Sequence, residues 1–140
     1  MKARKVKGLK PREALRANAA RLVATRLDEL CGFAEGALEP SAATTQHDMR
    51  IAAKRLRYLL EIAAACLGPE AEAARGIAKE LQGALGEIHD CDVMSPKVAG
   101  IGSVEALLRT RRELLHARFR ELWRAQETQN VLANLARRVA

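Results

Sequence analysis

Hydrophobic and polar positions along this chain repeat with a helical rather than a strand period. Between Thr45 and Leu67, the residues Met49, Ala52, Ala53, Leu56, Leu59, Leu60, Ala63 and Leu67 share one side when projected at about 100° per residue. His47, Arg50, Lys54, Arg57, Tyr58 and Glu61 gather opposite, with Arg55 on the flank. The next element runs from Pro69 to about His89. Its apolar side is Ile77, Leu81, Ala84, Leu85 and Ile88, and Arg75, Lys79, Gln82, Gly86 and His89 form a second stripe.

An earlier helix is predicted from about Pro11, a favourable first-turn residue, to about Leu38, where "EPSAATT" interrupts it. "SPKVAGIGS" reads as a loop, with Ser103 as the N-cap of a fourth helix through about Ala125. The terminal "QNVLANLARRVA" keeps helical spacing at Val131, Leu135 and Val139, as a continuation or a fraying tail. Short connections favour antiparallel neighbours. The expected fold is therefore all-α: an up-and-down antiparallel bundle of about four long helices. Leu22, Leu56, Leu60, Leu81, Leu85 and Ile88 are its expected core. Residues 1–10 form a basic arm, 9–125 the bundle and 126–140 a helical extension or tail.

Composition sharpens this picture. The chain has 140 residues, suited to one domain, and is 49% hydrophobic but only 3% aromatic, so its core must be close-packed alanine and leucine. Cys31, Cys66 and Cys91 have neither disulfide nor metal spacing and read as reduced core thiols. The start "MKARKVKGLK" is basic without a following apolar stretch, and no apolar run reaches membrane-spanning length. A soluble cytoplasmic protein of bacterial type is expected.

The formal net charge of +7 implies an anionic partner. Scarce aromatics disfavour single-stranded nucleic acid, whose bases stack on aromatic rings. A basic helix face is ordinarily just a solvated face, but such faces mix charge signs. Here four cationic or titratable residues precede the single Glu61, and like charges one turn apart repel. An anion would offset that repulsion, and arginine suits forked contacts to phosphate. Arg16 and Arg26 fall on the apolar side of the first helix, and Arg111 and Arg118 within the stripe Val104, Leu108, Leu115 and Leu122. Cations so placed border a polar cavity, snorkel, or pair with acids.

"HDMRIAAKRLRYLLEI" followed by "LQGALGEIHDCDV" resembles the CHAD domain, the conserved-histidine α-helical domain. Its first motif, H-x-x-R-x-x-x-[KR]-R-L-R, falls on His47, Arg50, Lys54, Arg55, Leu56 and Arg57. Its second, L-G-x-x-x-D-x-D-V, falls on Leu85, Gly86, Asp90, Asp92 and Val93. The resemblance covers roughly residues 9–125. It implies a helical bundle that binds inorganic polyphosphate through a basic cavity, often on polyphosphate granules. The family's usual domain joins two bundle halves, each with a basic helix. This chain carries one, so a symmetric homodimer would supply the missing wall.

On this reading His47 bonds a phosphate oxygen, Arg50 and Arg57 make forked contacts, and Lys54 acts as a point charge between them. Lys79 and His89 assist from the third helix. Arg55 contacts ligand or pairs with an acid, and Arg16, Arg26, Arg111 and Arg118 line the cavity. Asp90 and Asp92 orient the cations. No cofactor, metal or catalytic residue is assigned, and no turnover is expected. His116 reads as a surface residue beside Arg112 and Arg120.

Two other readings compete. His47-Asp48 with His89-Asp90 superficially resembles metal-dependent HD phosphohydrolases, but a basic stripe repels a metal. A nucleic-acid binder fits the charge, yet no groove-reading motif is present.

Overall fold

The computed structural model describes residues 2–10 and 14–140. Among them are five α-helices: α1 (Leu15–Ala37), α2 (Ala43–Leu67), α3 (Pro69–Met94), α4 (Gly102–Arg124) and α5 (Gln126–Val139). A short 3₁₀ turn, Ser95–Val98, links α3 to α4, and no strand forms among the described residues. The expected helix start at Pro11 lies outside those residues. No helix in the described residues is long and apolar enough to cross a membrane.

The phased stripes become the core. Leu56, Leu60, Leu81, Leu85 and Ile88 are buried where α2 meets α3. Leu22 is only half-buried, and Val23, Leu27 and Leu30 carry the buried side of α1. That offset of one position is within the ambiguity of a helical projection. Of the three cysteines, Cys91 is buried, Cys66 is half-buried and Cys31 is exposed, so a single core thiol replaces the expected three.

The α2–α3 connection is one residue. Gly68 adopts φ 84°, closed to most L side chains, while its N–H caps the Ala64 carbonyl at 2.8 Å. Pro69 then opens α3, where the missing N–H costs nothing. Helix α3 runs past the expected His89 to Met94 because Cys91 extends the buried stripe of Leu81, Leu85 and Ile88. Helix α4 begins at Gly102 behind Ile101, and Ser103 makes no cap bond. Helix α5 breaks from α4 at Ala125 and buries Thr128, Leu132, Leu135 and Val139 against α3 and α1. Its Arg138 donates Nε–H to the Leu67 carbonyl at 3.0 Å, satisfying an end group of α2.

Candidate functional site

Close packing of α2 on α3 brings two polar stripes edge to edge. The rings of His47 and His89 stack with centroids 4.5 Å apart and planes inclined by 29°. One turn along α2, the Arg50 guanidinium lies against Gly86, with Nε 3.5 Å from where a Cβ would stand. Two turns further, Arg57 donates Nη1–H to Gln82 Oε1 at 2.9 Å. Partner numbers fall along α3 as they rise along α2. The result is a seam of imidazole, guanidinium and amide groups.

A Cβ at Gly86 would meet the guanidinium at ordinary van der Waals distance. Gly83, one turn earlier on α3, faces open space. Arg57 is further held by Glu61, 3.5 Å from its Nε, and by the face of Tyr58, 4.6 Å from Cζ to the ring centroid. Lys54 Nζ hovers over the same ring at 5.9 Å. Tyr58 therefore supports the cations as a cation–π platform. Gln82 and Tyr58 are parts of the seam that the motif alone does not single out.

Three seam atoms stand out chemically. His47 Nδ1, Arg50 Nε and Arg57 Nε are buried and find no hydrogen-bond partner among the described residues, Arg57 Nε lying only within ion-pair range of Glu61. Buried polar atoms in proteins are nearly always satisfied. All three lie in the cationic seam, where anionic oxygens would satisfy them.

Several expected contributors sit elsewhere. Arg26 bonds Glu29 Oε2 at 2.8 Å and the Arg4 carbonyl at 3.0 Å. Burial alone would raise the Glu29 carboxyl, but the Arg4 N–H bond, Arg26 and the Arg55 charge outweigh it and hold it below the usual carboxylate range. Arg55 thus faces the α1 side of α2, away from α3. Arg16, Arg111 and Arg118 are exposed rather than set in an apolar face. Among the described residues no hydrogen bond, ion pair or ring contact joins them to the seam. The reason in α4 is phase: its inner side is Leu115, His116 and Phe119, with Arg112 rather than Arg111 alongside.

The aspartates are also reassigned. Asp92 does not orient the seam cations; its two oxygens take Arg112 Nε and Nη2 at 2.6 and 3.2 Å. Arg112 continues to the Pro40 carbonyl at 2.7 Å and Gln46 Oε1 at 2.6 Å, tying α4 to the α1–α2 turn. Asp90 is exposed and lines a hollow of about 260 Å³ with Glu87, Met94 and Arg111. His116 is buried, not a surface residue, and its Nε2 lies 3.1 Å from the Ala37 carbonyl.

A cleft of about 570 Å³ opens between α3, the 3₁₀ turn and α4, beside Asp92, Glu105 and Arg112. Neither hollow includes a seam residue. Among the described residues no group of three or more His, Cys, Asp or Glu side chains is placed to hold a metal ion.

The family model of the CHAD domain matches residues 2–99. The chain belongs to the CHAD domain family. The CHAD match takes in the N-terminal arm, α1, α2, α3 and the 3₁₀ turn, so it starts and ends earlier than the 9–125 span expected from the two motifs. The whole seam lies inside it, and α4 and α5 lie beyond. CHAD membership is consistent with polyphosphate-related binding. No curated protein and no solved structure gives a significant match.

Proposed function

We propose that this CHAD chain binds inorganic polyphosphate, without turning it over, along the α2–α3 seam. The carrying observation is the pairing of His47 with His89 beside Arg50, with His47 Nδ1 and Arg50 Nε both unsatisfied. Phosphate oxygens are strong acceptors, and charge-assisted bonds to arginine are among the strongest a protein makes. Arg50 and Arg57 fork onto phosphates two helical turns apart along the chain, Lys54 supplies an exposed charge between them, and His47, His89 and Lys79 flank the chain. Along α2 this sets a cation at about every turn, a rise of about 5.4 Å that a flexible phosphate chain follows.

In this reading the short connections set α1, α2 and α3 as antiparallel neighbours, and the seam is one wall of a cavity. A second copy in a two-fold homodimer supplies the other wall. The site works in the cytoplasm, with granule association following from affinity for the polymer. The seam offers positive charge and hydrogen-bond donors but no activated nucleophile, which supports retention over hydrolysis.

The test is a titration with long-chain polyphosphate, followed by competition with duplex DNA at equal phosphate concentration. The Arg50/Lys54/Arg57 triple alanine variant should lose binding, while Arg124→Ala, at the far end of α4, should keep it. Free phosphate should not accumulate over the titration. A folded triple variant that binds as tightly as the parent places the site elsewhere. Full displacement by DNA makes the protein a general polyanion binder, the nucleic-acid reading included.

A further inference from the structure

Residues 2–10 contain Lys2, Arg4, Lys5, Lys7 and Lys10 and no acid. They form neither helix nor strand, yet their main chain is tied to α1 at two points. At the first, the Arg4 N–H donates to Glu29 Oε1 at 2.6 Å, and Arg26 donates to the Arg4 carbonyl. At the second, the Lys10 N–H donates to Asn18 Oδ1 at 3.1 Å, and Asn18 Nδ2 donates to the Lys10 carbonyl at 2.7 Å. Each clasp grips both polar groups of one residue's backbone.

The geometry is self-consistent. Asn18 and Glu29 are separated along α1 by about 16 Å, at about 1.5 Å per residue. The segment from Arg4 to Lys10 reaches at most about 20 Å when extended. It therefore runs nearly straight, against the direction of α1, and Gly8 at φ 80° beside the Arg21 side chain takes up the slack.

Neither clasp uses a cationic side chain of the arm. Lys2, Arg4, Lys5 and Lys7 are exposed, and among the described residues no acid pairs with Lys2, Lys5 or Lys7. A merely solvated tail does not need a carboxylate that is 2% exposed to hold its peptide groups. That carboxylate also feels the charge of Arg55, the residue after Lys54 on α2. The strap is thus fixed along α1, and one of its two clasps, at Glu29, lies within reach of the Arg55 charge on α2.

We infer that residues 2–10 are a second anion-binding element, whose Lys2, Arg4, Lys5 and Lys7 grip a phosphate polymer that crosses α2 from the seam. This rests on the seam reading for the identity of the polymer. Holding the strap by its backbone pre-organises the cations and removes an ordering cost from binding. A short phosphate chain occupies the seam alone; a long one engages both.

The experiment compares long-chain polyphosphate with tripolyphosphate over a range of salt concentrations. The variant carries Lys2→Gln, Lys5→Gln and Lys7→Gln, all at exposed side chains outside the clasps. For the long chain, the slope of log affinity against log salt should fall by about 2, by analogy with about 0.7 per neutralised phosphate on single-stranded nucleic acid. Tripolyphosphate affinity should not change. An unchanged long-chain slope overturns the strap's role, while the seam stands on its own variants. If the glutamine variant loses long-chain affinity but the Arg50/Lys54/Arg57 variant does not, the strap holds and the seam reading falls.

Discussion

His47 on α2 and His89 on α3 stack face to face across the helix pair, their ring centroids 4.5 Å apart. Two titratable rings at this distance, with Arg50 and Arg57 along the same seam, concentrate donors there, with Glu61 3.5 Å from Arg57 Nε. Such a site favours a ligand that brings negative charge with it. The third imidazole, His116, is committed elsewhere, beside the Ala37 carbonyl.

Core packing between α2 and α3 sets the seam's spacing, so truncating a core leucine acts on the seam through stability. Leu56 is fully buried, and Leu56→Ala should cost about 2–5 kcal/mol. Leu22→Ala, at a half-buried site, should cost less. Urea denaturation of both variants checks the order, and equal losses would contradict the placement of Leu22 outside the core.

Glu29 gives a pH dependence with a defined sign. Its folded-state carboxyl is held below the usual range, so the unfolded chain takes up the proton first. Its stabilisation is therefore fully present above the unfolded value of about 4.3. It is lost as pH falls through the lower folded value. Glu29→Gln should lower stability near pH 7 by about 1.5–3 kcal/mol, the scale of hydrogen bonds to charged groups. It should also flatten the decline below pH 4.3 or so. Denaturation midpoints from neutral to acid pH test this, and parallel curves for the two proteins would exclude the clasp.

Arg112 should behave as a tie between elements rather than as a ligand group. Its fork meets Asp92, the Pro40 carbonyl and Gln46 at once, which a lysine cannot reproduce. Arg112→Lys should speed amide exchange in the α1–α2 turn and lower the unfolding midpoint, leaving polyphosphate affinity within about twofold. A loss of affinity larger than the loss of stability explains would give Arg112 a direct role in binding.

The seam's parts were legible in the sequence to different degrees. The phase of α2 alone separates Leu56 and Leu60 from Arg50 and Arg57, because a two-sided helix writes its faces into its period. Gly86 falls in the polar stripe of α3, and the side chain that lies against it is Arg50. What the period could not carry was partnership across distant elements. His116 looks like a surface residue until Ala37, 79 positions away, covers it. Asp92 belongs to a motif beside the seam, yet it pairs with Arg112 from a helix beyond that motif. In α4 a shift of one residue decides whether Arg111 or Arg112 turns inward, and a basic helix with few large apolar residues hardly encodes that choice. The strap was legible only as charge, since its ties are main-chain bonds to Glu29 and Asn18.

The three histidines supply the most direct test of the seam, because two are in it and one is outside. Ring nitrogen and proton resonances of His47, His89 and His116 can be followed by NMR as polyphosphate is added at constant pH and salt. His47 and His89 should move together and saturate at the same polyphosphate concentration, while His116 keeps its position beside the Ala37 carbonyl. Binding that leaves both seam rings unmoved, or that shifts His116 as much as His47, would contradict binding at the seam.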